Sequence, residues 1–375
     1  MSAREWTPVC RACGARNPGT WSRCPGCGGV QVLEGPRTVP TPSGAGGLWR
    51  FRDALPPVRH EITMGEGGTP LVRCERLAAR AEVAQVLVKN ETVNPTLSFK
   101  DRAMALGVSL ARAADAPGVV AASTGNTAVS AAAYAARAGL SCRLYCAADA
   151  AGSAKLRTAR AYGAGVEPVD GDFSSAHAAA AELEADGWFP LTTTFRNPYL
   201  VEAHRTVALE LFEQTDGFVP DWVLVPVGAG PLLVGAYEGF RALADAGRIP
   251  RVPRMVAVQV DACAPLVDAW RTNATTVTAA NPRPTVAGAI ADPLRGYEDE
   301  GVLTLEAVRE SDGLAVSVPD EAVLEAVDDL ARHEGLLVEP AGAAPLAALA
   351  ALAADGTVAP DARVVLVATG HGAKE

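Results

Sequence analysis

The sequence has no long apolar run and little positive charge, and both shortages narrow the class of protein. No stretch reaches the roughly 18 apolar residues of a transmembrane helix, and the polar start MSAREWTPVC lacks the apolar segment of a secretion signal. Lys and Arg total 33 against 43 Asp and Glu, so the net charge is −10. An acidic chain repels nucleic-acid phosphates. We therefore expect a cytoplasmic protein without a membrane or nucleic-acid partner.

Length and composition predict a globular chain with more than one domain. The 375 residues exceed what one ordinary core accommodates, and the 49% apolar content argues against disorder. Short β-rich runs alternate with helical segments, which predicts an α/β fold with mostly parallel sheets. The clearest strands are predicted at 84–91, 118–123, 141–147, 221–228, 254–260 and 362–370, and the clearest helices at 101–114 and 127–139.

Half of the eight cysteines form two Cys-x2-Cys knuckles near the N-terminus. The knuckles comprise Cys10, Cys13, Cys24 and Cys27. Gly14 and Gly28 follow two of them and permit the tight turn beneath a metal ion. Four thiolates suit structural zinc and leave no open position for catalysis; the alternative is a degenerate ribbon without metal. Thiols stay reduced in the cytoplasm, so we expect the other cysteines to be small core residues, namely Cys74, Cys142, Cys146 and Cys263.

Three polar turns follow predicted strands, where ligands bind in open α/β sheets. ASTGNTA (122–128) offers hydroxyls and helix N–H groups to a carboxylate, PVGAGPLLVG (226–235) lets the backbone approach an anion, and VATGHGAKE (367–375) places Thr369 after a strand. Each turn alone also reads as an ordinary cap or turn. Together with Lys100 in NPTLSFKDRA (94–103), they supply the amine, carboxylate cradle, phosphate cup and ring-nitrogen partner that a pyridoxal phosphate enzyme needs.

Four segments resemble threonine synthase, a fold-type II pyridoxal phosphate enzyme of the tryptophan synthase β superfamily. They are ETVNPTLSFKDRA, ASTGNTAVSAAAYAA, EPAGAA (339–344) and TGHGAKE. The resemblance runs in order from about residue 60 to 375, and a four-cysteine ribbon occurs in some threonine synthase-like proteins. It implies a homodimer and two parallel-sheet domains. The implied division is a ribbon at 1–35, a linker or wrapping arm at 36–60, a large cofactor domain at 61–90 and 200–375, and a smaller domain at 91–199.

The resemblance also implies a role for each matching residue. Lys100 would bind the cofactor covalently and shuttle protons, Asn126 would hydrogen-bond the phenolic oxygen of the ring, and Thr369 would touch its pyridine nitrogen. The phosphate cup would comprise Gly228, Ala229, Gly230, Pro231 and Leu232, the proline excepted as a donor. The amino-acid substrate would be bound by Ser123, Thr124 and Thr127 at its carboxylate, with Lys155 and His204 as further candidates.

The chain departs from the family pattern where the substrate phosphate would bind. Leu97 replaces a glycine, and in TFRNPYLVEAHRT (194–206) Leu200 takes the place of an arginine and Phe195 that of a serine. A guanidinium is the natural bidentate donor to a phosphate dianion, so its loss disfavours that ligand unless other groups compensate. The candidates for compensation are Arg196, Arg205, His204 and Lys155.

We therefore expect a lyase that catalyses β- or γ-elimination or replacement on an O-activated amino acid. It would be threonine synthase itself, acting on O-phosphohomoserine, or a relative with a changed leaving group. A serine/threonine dehydratase, an ammonia-lyase and a β-replacement synthase of specialised metabolism remain alternatives. A different class is a catalytically silent cofactor-binding protein whose ribbon, with arginines at 4, 11, 16 and 23, recruits a partner.

Overall fold

The computed structural model describes residues 6–41, 44, 46–171 and 173–374. Residues 1–5 of the predicted ribbon, which include Arg4, lie outside the described part. The strands are β1 Thr7–Cys10, β2 Gln31–Glu34, β3 Leu71–Arg73, β4 Gln85–Asn90, β5 Gly118–Ala122, β6 Ser141–Ala147, β7 Gly165–Val169, β8 Phe189–Pro190, β9 Trp222–Pro226, β10 Arg254–Val260, β11 Leu314–Val318 and β12 Arg363–Ala368.

Eleven α-helices lie between these strands in the described residues. They are α1 Glu75–Arg80, α2 Lys100–Ala113, α3 Asn126–Ala138, α4 Ala154–Ala161, α5 Phe173–Ala185, α6 Pro198–Gln214, α7 Pro231–Asp245, α8 Pro265–Arg271, α9 Glu298–Glu310, α10 Asp320–Glu334 and α11 Pro340–Ala354. Within the described part of the chain, no helix is long and apolar enough to cross a membrane.

The chain divides into two compact units, each made of two stretches of sequence. The first comprises Met1–Gly68 and Asn94–His204, and the second comprises Thr69–Val93 and Arg205–Glu375. The four-part division implied by the resemblance stays a prediction.

The first unit is built on a four-stranded parallel sheet with the order β7-β6-β5-β8. A separate antiparallel pair, β1 and β2, lies near the N-terminus, with Cys10 at the end of β1 and the other three N-terminal cysteines between the two strands. Both α2 and α3 are rich in Ala and bury nearly all their residues, because small side chains allow close approach of helix to sheet. The α3 helix ends at Gly139, whose φ of 66° forms a left-handed cap.

The predicted linker or wrapping arm contributes to the core of this unit. Residues 47–54 form a 3₁₀ segment, and Leu48, Trp49 and Leu55 join the cluster of apolar side chains around α2 and α3. Gly47, with φ of 60°, lies so close to Glu66 that a Cβ would be 2.2 Å from the carbonyl oxygen of Glu66. Leu48, Trp49 and Leu55 therefore belong to the core of this unit, and the choice between a linker and a wrapping arm for 36–60 stays a prediction.

The second unit is built on a six-stranded sheet with the order β11-β10-β9-β12-β4-β3. All neighbours are parallel except β3, which runs antiparallel to β4. The central strands are Val-rich and buried, as expected for a sheet covered on both faces. One charged pair lies inside the unit: Lys89 Nζ is 2.6 Å from Glu210 Oε2, and both side chains are fully buried.

The predicted α/β fold with mostly parallel sheets is confirmed. Each of the six strands and two helices predicted above is present within one to two residues of its expected bounds. The four scattered cysteines are all buried and free, which confirms them as small core residues.

Candidate active site

The loop that precedes Lys100 is fixed by the carboxylate of Asp101. Asp101 Oδ2 accepts from the backbone N–H of Thr96 at 2.6 Å, and Oδ1 accepts from Thr96 Oγ1 at 2.5 Å and from Ser130 Oγ on α3. All three residues are buried. The carboxylate thus ties the loop, the start of α2 and the middle of α3 together. Lys100, the first residue of α2, is held at a set position because its neighbour is anchored.

Leu97 occupies the position where the family pattern has glycine, and its backbone explains that preference. Its φ is 63°, in the left-handed region that favours glycine. The turn is closed by the Leu97 N–H, which donates to the carbonyl of Asn94 at 2.7 Å. The chain therefore accepts local backbone strain three residues before Lys100.

The amine of Lys100 contacts a hydroxyl that the sequence had not singled out. Lys100 Nζ donates to Thr193 Oγ1 at 2.7 Å, and Thr193 Oγ1 is 2.6 Å from Thr127 Oγ1. The amine also lies 4.5 Å from the centroid of the Phe99 ring. Two of the predicted site residues, Lys100 and Thr127, are thus joined through Thr193.

The start of α3 lies in a turn that is rich in hydroxyl and N–H groups. The N-cap residue, Gly125, has no side chain, so the first N–H groups of the helix are not capped from that position. Ser123 Oγ instead accepts from the Gly125 N–H at 3.1 Å. Asn126 and Thr127 are buried, whereas Ser123 and Thr124 are half-buried. This donor-rich turn fits a carboxylate, as the sequence predicts.

His204 is buried beside the ring of Phe99. The centroids of the two rings are 5.4 Å apart, and the histidine is 1% exposed. Burial, followed by the positive charges of Lys100 and Arg102, places the pKa of His204 well below its usual value of 6.5. The imidazole is therefore neutral at neutral pH and brings no positive charge to a substrate phosphate.

Arg196 is engaged by a carboxylate. Its Nε and Nη2 donate to the two oxygens of Glu184 at 2.5 and 2.8 Å, and both side chains are largely buried. Ser22, from the segment between the two cysteine knuckles, donates to the same carboxylate at 2.7 Å. The neighbouring Trp21 ring lies 4.9 Å from the ring of Phe189. Arg196 is thus paired within its own unit.

Leu200 belongs to the apolar core of the first unit. It is 2% exposed and lies in the cluster with Leu191 and the α2 helix. A Cβ on Gly107 of α2 would be only 2.6 Å from a methyl group of Leu200, so the two are in close contact. The side chain that replaces the family's arginine therefore packs against α2. Lys155, by contrast, is half-buried on the first turn of α4.

In the second unit, the predicted phosphate cup lies between β9 and α7. Gly230 is the N-cap of α7 with φ of 103°, and Pro231 follows at the first helical position. A Cβ on Gly230 would be 2.2 Å from Thr304 Oγ1, and the Thr304 hydroxyl donates to the carbonyl of Ala229 at 2.6 Å. Only glycine fits there. The first N–H groups of α7 have no intrahelical acceptor and suit an anion.

Thr369 lies directly after β12 in the same unit and is 3% exposed. A Cβ on Gly342 would be 3.0 Å from the Thr369 nitrogen and 3.2 Å from Oγ1. The Glu339 N–H donates to the carbonyl of Gly370 at 2.9 Å. The EPAGAA and TGHGAKE segments are therefore packed against each other, which accounts for the small residues in both.

The two cysteine knuckles of the first unit bring their sulfur atoms together. All four lie within 4.8 Å of one another, with Cys10–Cys27 at 3.4 Å and Cys13–Cys24 at 3.8 Å. Ligands of a tetrahedral Zn–thiolate site are about 3.8 Å apart. Gly14 and Gly28 have φ of 73° and 70°, so each supplies the predicted turn.

Comparison with known proteins decides the family. The model of the pyridoxal-phosphate dependent enzyme family matches residues 62–370. The chain belongs to this family. It is similar to the threonine synthase of Methanocaldococcus jannaschii, with 37% identity over 334 residues that cover 88% of this chain and 81% of that protein. The threonine synthase of Methanosarcina acetivorans is 38% identical over 328 residues, covering 88% and 80%.

Solved structures of the same fold have several activities. Threonine deaminase from T.th. is 27% identical, with a TM-score of 0.66 over 81% of this chain and 92% of that one. Maize serine racemase has a TM-score of 0.70 at 21% identity, over 81% and 88%, and shows the fold. These matches confirm the prediction of a fold-type II pyridoxal phosphate enzyme of the threonine synthase-like kind. The residue roles stay predictions.

Each unit, taken by itself, offers groups that suit one part of the cofactor. The first unit offers a lysine amine held at a fixed point, and the second offers a glycine turn whose helix N–H groups suit a phosphate. Thr369 is a buried hydroxyl at a strand end. These are the groups that an aldehyde, a phosphate ester and a pyridine nitrogen respectively require.

His177 on α5 predicts an acid sensitivity of the first unit. Burial, with the positive charges of Arg196 and Arg23, lowers its pKa from 6.5 to about 4. Below pH 6.5 the unfolded chain takes up a proton that the folded chain does not, so stability is lost as the pH falls towards 4. We expect the free energy of unfolding, measured by urea denaturation, to fall between pH 7 and pH 5 by about 1–2 kcal/mol more in the unchanged chain than in His177→Gln.

The matched control is His60→Gln, which changes an exposed histidine of the same unit. It should keep the pH dependence of the unchanged chain. If the free energy of unfolding falls with pH equally in His177→Gln and in the unchanged chain, His177 is not the source of the acid sensitivity.

Proposed function

We propose that this chain is a threonine synthase-like lyase whose amino-acid substrate carries a leaving group less highly charged than phosphate. The observation that supports the proposal is the contrast between the two ends of the expected site. The groups that suit the cofactor and the amino-acid carboxylate are present. In contrast, Leu200 is apolar, Arg196 is paired with Glu184 and His204 is neutral, so none of the three offers a positive charge to a substrate phosphate. A cytoplasmic homodimer remains part of the proposal.

The side chains have separable tasks in this reaction. The α3 turn, with Ser123, Thr124 and Thr127, binds the substrate carboxylate. The N–H groups at the start of α7 bind the phosphate of the cofactor, and the cofactor supplies an electron sink for the bond at the substrate Cα. The amine of Lys100 removes a proton from Cα and returns one later. Thr369 would place a neutral hydroxyl at the ring nitrogen. A protonated ring nitrogen would therefore have no negatively charged partner from this residue.

The argument on the leaving group rests on three side chains. Leu200 is packed in the core beside Gly107, Arg196 is paired with Glu184, and His204 is a buried neutral ring. A phosphate dianion taken out of water needs several charge-assisted donors. A neutral ester or hydroxyl leaving group has no such requirement, so these three side chains favour it over a phosphate ester.

The covalent role of Lys100 has a direct test. The chain contains four lysines, Lys89, Lys100, Lys155 and Lys374. Incubation with pyridoxal phosphate, borohydride reduction and peptide mass mapping should place the reduced adduct on Lys100. Lys100→Ala should abolish the adduct, while Lys374→Ala should retain it. An adduct on another lysine, or none, would refute the proposal.

The proposal that the leaving group is less highly charged than phosphate is tested by comparing O-phospho-L-homoserine, O-acetyl-L-homoserine and L-threonine as substrates. Without the guanidinium, kcat/KM for the phosphate ester should be at least about tenfold below that for the preferred substrate. Faster phosphate release than acetate release would overturn this part of the proposal, and formation of L-threonine as the product would make the chain a threonine synthase. Conversion of L-threonine to a keto acid would favour the dehydratase alternative, which the likeness to threonine deaminase supports.

We also propose that the four cysteines bind one structural zinc ion. The spacing of their sulfur atoms supports this. Elemental analysis should find about one zinc per chain, and Cys27→Ser should lower that content at least several-fold because one thiolate ligand is lost. Cys263→Ser, at a buried cysteine of the second unit, should leave it unchanged. Equal zinc content in all three proteins would contradict the site.

A further inference from the structure

Thr193 lies in a segment that is tied down on both sides. Just before it, the Leu191 N–H donates to the carbonyl of Val120 at 2.7 Å, and Thr192 Oγ1 accepts from the Ala122 N–H at 3.0 Å. These bonds fix the segment beside the end of β5. The position of the Thr193 side chain is therefore set by the sheet.

The segment is also held on its C-terminal side. The Asn197 side chain is fully buried, and its Nδ2 donates to the carbonyl of Pro190 at 2.9 Å. Arg196 is clamped by both oxygens of Glu184. With both flanks anchored, the Thr193 hydroxyl offers the Lys100 amine a fixed partner at 2.7 Å.

A hydroxyl suits a lysine that gains and loses a proton. An ammonium group only donates, whereas a neutral amine also presents a lone pair. A hydroxyl has two lone pairs and one rotatable hydrogen, so Thr193 Oγ1 can accept from the ammonium and donate to the amine. Its second contact, Thr127 Oγ1 at 2.6 Å, supplies a partner for whichever bond the lysine does not use. Valine, of the same shape, can do neither.

We propose that Thr193 is a positioning residue that holds the Lys100 amine in both of its protonation states. This inference rests on the proposed function, in which the amine of Lys100 reacts and moves protons. It also connects the lysine to Thr127, a predicted carboxylate-binding residue, so the two tasks share one hydrogen-bonded chain.

The experiment measures how fast Lys100 reacts with pyridoxal phosphate itself. Cofactor-free protein is mixed with pyridoxal phosphate, quenched with borohydride at set times, and the Lys100 peptide is quantified by mass spectrometry. Thr193→Val removes the partner that orients the amine and should slow adduct formation by about tenfold. Thr193→Ser restores a hydroxyl at the same place and should return the rate to within about twofold of the unchanged chain.

A matched control is Thr215→Val in the second unit. Thr215 is likewise half-buried, and its hydroxyl donates to the backbone carbonyl of Leu211 at 2.7 Å. It should react at the unchanged rate, which separates the loss of the Lys100 contact from the general loss of a threonine hydroxyl.

The outcomes separate the two levels of the proposal. If the unchanged chain forms no Lys100 adduct, the proposed function fails. If the unchanged chain forms it and Thr193→Val forms it equally fast, the role of Thr193 is refuted and the proposed function stands. If adduct formation is slow in Thr193→Val and equally slow in Thr193→Ser, Thr193 acts through packing and not through its hydroxyl, which also refutes the inference. Thr193→Ala provides the same comparison if circular dichroism shows that the valine variant is not folded.

Discussion

The carboxylate of Asp101 is the interaction on which the proposed active centre depends. It accepts hydrogen bonds from the loop before Lys100 and from α3, so one buried carboxyl group holds a loop and two helices in register. A buried carboxylate is tolerated only when its oxygens are well satisfied. Removing it would release both the loop that carries Lys100 and the helix that begins with Asn126 and Thr127. This explains why aspartate follows lysine in NPTLSFKDRA.

Much of the fold was predictable because its signals are local. Strands such as Gln85–Asn90 and Arg363–Ala368 are short Val-rich runs, and α3 ends at a glycine in the left-handed conformation. Gly230 has a signal of the same kind, because its φ of 103° at the start of α7 lies in a region that favours glycine. The four cysteines were predictable from spacing alone, because each knuckle closes its own turn.

Other features could not be predicted, because they depend on residues far apart in the chain. Thr193 stands in a run of three threonines, and nothing local shows that it meets a lysine 93 residues earlier. The sequence suggested Arg196 as a compensating cation, but its guanidinium is paired with Glu184 on α5. Leu200 stands where the family pattern has a ligand-binding arginine, but its side chain packs against Gly107 on α2. Residues 36–60 had the composition of a linker, but Leu48, Trp49 and Leu55 within them are packed into the core by long-range contacts.

The segment between the cysteine knuckles has a consequence for how this protein can be shortened. Trp21 packs on Phe189 and Tyr199, and Ser22 holds Glu184. These contacts bracket the stretch that contains Thr193. The segment between the knuckles therefore supports the stretch that positions Thr193 and is an integral part of the first unit. A chain shortened to begin after the knuckles would keep Lys100 and Thr193 but would lose these contacts.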